Sequence, residues 1–288
     1  MLPSVPGGTL TPAPGLTLSR MGYGAMRLTS SRASGPPKDR TEALAVLREA
    51  VDLGVTHIDT ADFYGPVTVN ELIREALAPY PEGLCIATKV GVRQDTDGGW
   101  HSALEPDDLK AQVRENLRHL GLDALDLCYL RTGSFETIGE GRIAEQFGAL
   151  AELRREGLVR HLGLSGVSPA QLSEAQSIAP VVAVQNLYNL GNRQDDPLVD
   201  RCAAENIAYA AYFPLGGLTP AQSEILLDVS ADLGVTPQQT ALAWLLRRSP
   251  TTVLIPGTSS VAHLRLNIAA ADVRLPADVV AELDAVGT

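Results

Sequence analysis

Eight short apolar runs, rich in β-branched residues, recur along the chain, and between them apolar residues return every three or four positions. The runs are Ser19–Gly22, Thr56–Asp59, Leu84–Lys89, Leu125–Leu130, Arg160–Leu164, Val181–Gln185, Ile207–Tyr212 and Thr252–Ile255. Helical spacing occupies Arg40–Leu53, Asn70–Ala78, Asp107–Leu120, Ile143–Glu156, Pro169–Ile178, Pro197–Glu205 and Gln238–Arg247. Continuously apolar strands that alternate with helices indicate βαβ units and a parallel sheet.

Turn chemistry supports these boundaries. Glu105-Pro106-Asp107-Asp108, Ser168-Pro169 and Thr236-Pro237 are helix starts, and Gly54, Gly121, Gly157 and Gly234 follow helix ends as left-handed caps. Ser30–Pro37 reads as a surface loop, and no stretch interrupts the alternation as an interdomain linker would. A doubly wound dinucleotide fold should show G-x-G-x-x-G after its first strand. Here Gly22-Tyr23-Gly24-Ala25-Met26-Arg27 lacks the third glycine. Eight strands with eight crossovers in about 250 residues fit a single α/β domain over 1–288, a (β/α)8 TIM barrel.

The 288 residues carry a formal net charge of −11, the wrong sign for a polyphosphate backbone or an anionic membrane. Apolar runs such as Ala241–Leu246 fall short of the roughly 20 residues that span a bilayer, and the Pro- and Gly-rich start before Arg20 is unlike a secretory signal. A cytoplasmic location is the expectation. Cys85, Cys128 and Cys202 lie far apart with no metal-ligand spacing and read as reduced packing residues.

In a barrel the active site lies at the C-terminal strand ends. There the runs finish in Asp59, Lys89, Ser165 and Gln185, so a carboxylate, an ammonium, a hydroxyl and an amide share one mouth. A buried Asp or Lys needs a partner, and Asp59 and Lys89 can satisfy each other. A cation beside a phenol lowers its pKa, and Tyr64, five residues after Asp59, is a candidate phenol. From spacing alone, a catalytic set and a plain ion pair with Tyr64 as packing both remain open.

With these residues assembled, the chain resembles an aldo-keto reductase. Asp59-Thr60-Ala61-Asp62-Phe63-Tyr64-Gly65 resembles the family's D-T-A-x-x-Y-G segment, and Thr88-Lys89 its T-K strand end. Leu162-Gly163-Leu164-Ser165 resembles its G-x-S motif. Tyr212-Phe213-Pro214-Leu215-Gly216 and Ile255-Pro256-Gly257-Thr258-Ser259-Ser260 resemble its Y-S-P-L-G and I-P-G-x-S stretches. The resemblance implies reduction of an aldehyde or ketone with hydride from NADPH, a proton from Tyr64, Lys89 tuning Tyr64, and Asp59 orienting Lys89. It implies further that Ser165 and Gln185 bind the carboxamide, Tyr212 stacks on the nicotinamide, and Gly216, Gly217 and Leu218 lie near the pyrophosphate. Thr258, Ser259, Ser260, His263, Arg265 and Asn267 match the segment around the adenosine phosphate. Gly22, Tyr23, Phe213, Pro214, Leu215, Ile255 and Gly257 join them on the cofactor side. Gly257-Thr258-Ser259-Ser260 also opens a helix, whose free N–H groups favour anions; ordinary capping is the alternative.

Three departures stand out. Arg131 occupies the place of the family's catalytic His, Gly166 that of a carboxamide-binding Asn, and Phe213 that of a Ser. Always protonated, Arg131 can donate to a substrate oxygen but cannot relay a proton. Gly257 stands where many NADPH-preferring relatives have Lys. Tyr23 and Trp100 are candidate walls of the substrate pocket, and His101 is a candidate replacement for the missing His. His57 reads either as support for Asp59 or as a satisfied core histidine, His119 and His161 as structural, and Trp244 as core. Asp62–Pro66, Arg131 and Phe213–Gly217 look most like a bacterial branch that includes pyridoxal reductases. The alternatives are an NADPH-binding sensor subunit, as the resemblance to potassium-channel β subunits implies, and a barrel isomerase or lyase without nicotinamide. A small carbonyl substrate and a monomer or weak homo-oligomer are expected.

Overall fold

An N-terminal antiparallel hairpin precedes the alternation, pairing β1 (Thr9–Ala13) with β2 (Leu16–Ser19). The computed structural model describes residues 5–30, 33–95, 99–134, 137–216 and 218–286. The alternating part follows as β3 (Tyr23–Gly24), α1 (Arg40–Asp52), β4 (His57–Asp59), α2 (Thr68–Leu77) and β5 (Cys85–Val90). A second hairpin, β6 (Val92–Gln94) with β7 (Trp100–Ser102), leads into α3 (Pro106–Leu120). Next come β8 (Leu125–Arg131), α4 (Ala144–Arg155), β9 (Val159–Ser165), α5 (Pro169–Gln176), β10 (Val181–Leu187) and α6 (Asp196–Ala204). The chain ends through β11 (Ala208–Tyr212), α7 (Pro220–Leu233), α8 (Pro237–Arg248), β12 (Thr252–Leu254), α9 (Val261–Ala269) and α10 (Ala277–Ala285).

Eight strands pair in parallel in the order β12-β11-β10-β9-β8-β5-β4-β3. The ring closes where Leu254 N donates to Arg20 O at 2.7 Å and Gly22 N donates to Leu254 O at 2.8 Å. This is a (β/α)8 barrel, with α9 as the eighth helix lying against α1. Ser168, Thr219 and Thr236 each cap a helix with Pro in its first turn, and each receives the reciprocal Gln bond of a capping box. Gly54, Gly121, Gly157 and Gly234 all take positive φ at the expected helix ends.

The first strand departs from expectation. The run Ser19–Gly22 is split, because Ser19 completes the hairpin opposite Thr9 and the barrel strand begins beyond it. Leu10, Leu16 and Leu18 of the hairpin pack onto inward-facing Cys85, Leu127, Ala208 and Val253, and so seal the N-terminal end of the barrel. Above them Tyr129 fills the axis. A Cβ on Gly163 would stand 2.6 Å from the Tyr129 ring, so the neighbouring strand yields its side chain to it. The two hairpins and helices α7 and α10 lie outside the elements expected from the sequence. No helix among the described residues is long and apolar enough to cross a membrane, and all three cysteines are buried and unpaired.

Candidate active site

Asp59 and Lys89 end adjacent strands and both side chains point into the barrel mouth. Lys89 Nζ donates to Asp59 Oδ1 at 2.5 Å and to Thr60 O at 2.9 Å, and Gln185 Nε2 donates to Asp59 Oδ2 at 2.8 Å. The side chains of the ion pair are 2% and 4% exposed, so neither charge reaches bulk water and each depends on the other.

Tyr64 arrives from the β4–α2 loop, its ring centroid 5.1 Å from Lys89 Nζ. Burial holds its phenol above the ordinary value, against the downward pull of Lys89 and Arg131. Tyr64 is therefore protonated throughout the neutral range, as a proton donor must be. The loop is pinned from beneath by a buried polar network that sequence reasoning missed. Thr60 Oγ1 donates to Asn70 Oδ1 at 2.8 Å, and Asn70 Nδ2 donates to Asp62 Oδ1 and Asn116 Oδ1, each at 3.0 Å. Thr88 Oγ1 also donates to Asn116, while His119 Nδ1 lies 2.7 Å from Asp62 Oδ1. His119 is thus structural in this particular sense. Asn70 and Asn116 each lie inside helical runs, where their inward direction carries no local signal.

Arg131 does reach the mouth. Its Nη1 donates to Ser165 Oγ at 3.0 Å, its Nη2 donates to Ser134 O at 2.6 Å, and its guanidinium lies 5.3 Å from the Tyr212 ring centroid. Ser165, which accepts this bond, is fully buried and is not among the described residues that line the cleft. The glycine at 166 has a steric reason. It takes φ 69°, and a Cβ there would stand 3.0 Å from Gly133 N, so the β8–α4 loop fills the space a larger side chain would need.

The cleft extends outward from Asp59, Tyr64, Arg131 and Gln185, with a volume of about 190 Å³. One wall is Tyr212, Phe213, Pro214, Leu215 and Gly216; the other is Gly24, Met26 and Arg27 with Ile255, Pro256 and Gly257. Gly217 lies outside the described residues. Trp100, from the second hairpin, stands edge-on to Phe63 at 4.9 Å and 6.2 Å from the Tyr64 ring, completing an aromatic side beside the phenol.

Several expected residues lie elsewhere. Tyr23 is not a pocket wall: it pairs with Ile58 and faces the helix layer, fully buried, with its hydroxyl donating to Thr258 O at 2.7 Å. Gly22 is packed against His57 and Leu254 and is likewise removed from the cleft. His101 points to solvent, 3.2 Å from Asp95, so it does not replace the missing His. His57 is fully buried, and neither ring nitrogen has a hydrogen-bond partner among the described residues. Thr258, Ser259 and Ser260 form the turn into α9; Thr258 Oγ1 accepts from Ser260 N at 3.2 Å. His263 is exposed and Asn267 buried on that helix. Trp244 is core, its Nε1 donating to Asp284 at 2.8 Å.

A carboxylate–ammonium pair under a buried phenol, facing a long cleft, is suited to delivering a proton to a carbonyl oxygen. Comparison with known proteins agrees with that chemistry. The chain is 52% identical over 272 residues, 94% of its own length and 95% of the relative's, to a pyridoxine 4-dehydrogenase of Escherichia coli (strain K12). It superposes with a TM-score of 0.81 and 29% identity over all of both chains on a thermostable aldo-keto reductase crystallised with the inhibitor epalrestat. A Klebsiella pneumoniae aldo/keto reductase in complex with NADP and acetate shares the fold, with a TM-score of 0.74 at 24% identity over 93% and 91% of the chains. The model of the aldo/keto reductase family matches residues 20–288, and the chain belongs to that family.

Proposed function

We propose that this protein is an NADPH-dependent carbonyl reductase that interconverts pyridoxal and pyridoxine. The observation that carries the proton-transfer part is the buried Lys89–Asp59 contact of 2.5 Å beneath the Tyr64 ring. The substrate follows from the relative's name and from Arg131. Pyridoxal has an acidic ring hydroxyl next to its aldehyde, and a fixed guanidinium complements an oxyanion there.

The cleft suits a nicotinamide dinucleotide. At its inner end the Gln185 amide and the Tyr212 ring offer a hydrogen-bonding group and an aromatic face, the buried Ser165 hydroxyl holds Arg131, and the outer passage is largely backbone and apolar surface. Bound there, NADPH supplies the hydride. Tyr64 donates the proton to the carbonyl oxygen, and Lys89 stabilises the phenolate that remains. Asp59, held by Gln185, fixes the ammonium, while Arg131 orients the substrate. Trp100 and Phe63 shield the phenol from water.

The test is NADPH consumption with pyridoxal and a panel of aldehydes and ketones, wild type beside Tyr64→Phe. The variant should lose nearly all turnover and keep cofactor affinity. A fully active variant refutes the mechanism. Tight NADPH binding by wild type without turnover on any compound would favour the sensor alternative.

A further inference from the structure

Gln185 and Asn186 stand side by side near the end of β10, and neighbours in a strand face opposite sides. Gln185 turns into the mouth to Asp59, while the buried Asn186 amide uses both of its lone pairs and both of its N–H groups elsewhere. Its Oδ1 accepts from Gly166 N at 2.9 Å and from Val167 N at 3.1 Å. Its Nδ2 donates to Val167 O at 2.8 Å and to Asp195 Oδ2 at 2.7 Å, and Tyr209 Oη donates to the same Asp195 oxygen at 2.7 Å. A carboxylate only accepts, so Asp195 keeps the amide with its N–H group towards itself and its carbonyl towards the turn at Gly166.

That turn is where the β8–α4 loop is anchored. Gly166 O accepts from Thr132 Oγ1 at 3.0 Å and from Gly139 N at 2.8 Å, and Ser165 O accepts from Thr132 N at 3.0 Å. A Cβ on Gly139 would stand 2.5 Å from Thr132 Oγ1, and one on Gly133 would stand 3.1 Å from Gly166 O, so the loop and the turn meet with no room for side chains between them. Arg131 is bound at both ends of this unit, through Nη1 to Ser165 Oγ and through Nη2 to Ser134 O. The direction of its guanidinium therefore depends on the same turn that Asn186 holds.

We propose that Asn186, locked by Asp195, is a positioning residue for Arg131 and so sets the preference for carbonyl substrates that carry an acidic hydroxyl beside the reacting carbon. This rests on the substrate reading above. A glycine has several conformations open to it, and the bonds that Gly166 and Val167 give to Asn186 select the one observed, at φ 69° for Gly166. Truncating Asn186 takes that acceptor from Val167 N and frees the turn, the loop on it and the guanidinium between them. A substrate whose oxyanion needs a fixed guanidinium then loses its contact, and one without an oxyanion does not.

The experiment compares steady-state reduction of pyridoxal with that of pyridine-4-carbaldehyde, which keeps the ring aldehyde and lacks the hydroxyl, and measures NADPH affinity by fluorescence titration. In Asn186→Ala and Asp195→Leu, kcat/KM for pyridoxal should fall about tenfold, chiefly through KM, while pyridine-4-carbaldehyde turnover and NADPH affinity change by less than about twofold. Asp195→Asn, whose amide oxygen still accepts from Asn186 and Tyr209, should recover most of the pyridoxal loss. Arg131→Gln should show the same selective loss, and adding Asn186→Ala to it should change little, as expected of residues that act in series. Equal losses on both aldehydes, or no loss in Asn186→Ala and Asp195→Leu, overturn the proposal while leaving the reductase reading intact. Arg131→Gln without a selective loss, or wild type that reduces neither aldehyde, refutes the substrate reading and this proposal together.

Discussion

His57 offers a quantitative check on the electrostatics beneath the site. Its imidazole is fully buried, two residues before Asp59 on β4, and neither ring nitrogen has a hydrogen-bond partner among the described residues. Burial pushes its pKa from 6.5 down to about 4; Asp59 opposes this and Lys89 adds to it. Between those values the unfolded chain binds a proton that the folded chain refuses. The stabilisation is therefore complete above pH 6.5 and erodes as pH falls towards 4, at about 1.4 kcal/mol per unit, or about 3 kcal/mol across the window. His57→Leu removes the titration and keeps a buried side chain of similar size. Urea unfolding followed by Trp fluorescence at pH 7.5, 6.5, 5.5 and 4.5 should show wild type losing about 2–3 kcal/mol more than the variant over that range. Asp62 and Asp195, whose pKa values burial raises, act in the opposite direction but are common to both proteins and cancel in the difference. Parallel stability curves would refute the reasoning, since they would mean that the folded protein admits the proton as readily as the unfolded chain.

Four further outcomes rest on packing and pairing. Lys89→Met strands the Asp59 carboxylate and should cost about 3–5 kcal/mol by thermal or urea unfolding. Adding Asp59→Leu should recover most of that loss, and strictly additive losses would refute the pairing. Gly163→Ala drives a methyl into the Tyr129 ring and should cost about 1–3 kcal/mol. Gly148→Ala, in α4 with nothing within 4 Å of the new Cβ, should instead stabilise by about 0.5–1 kcal/mol; both signs can be read from melting temperatures. Tyr23→Phe removes the hydroxyl that props Thr258, at about 1 kcal/mol of stability, and should weaken NADPH binding several-fold. Unchanged NADPH affinity would show that the loop does not depend on that prop.

Much of the barrel is legible locally. β8, β9 and β10 begin within a residue of the sequence expectation, because a strand buried on both faces is an uninterrupted apolar run. Gln185 illustrates the limit. Its position at a strand end marks it as a mouth residue, yet its hydrogen bond to Asp59 joins residues 126 positions apart, which no local pattern encodes. Tyr23 fails for a related reason. Within a strand, alternate residues face opposite sides, and moving the start of the first strand past Ser19 changes which of its residues were weighed as mouth residues.

The sequence by itself determined the alternation, the parallel order and the placement of Asp59, Lys89, Ser165 and Gln185 at one end of the barrel, since periodicity and strand termini are properties of neighbouring residues. Tertiary structure decided the rest. It placed the hairpin under the barrel floor, turned Tyr23 outward, sent His101 to solvent, joined Asn70 to Asn116 beneath the catalytic loop, and tied Asn186 to Asp195. Each of these depends on which side chains from distant segments compete for the same volume, and only closure of the ring settles that competition.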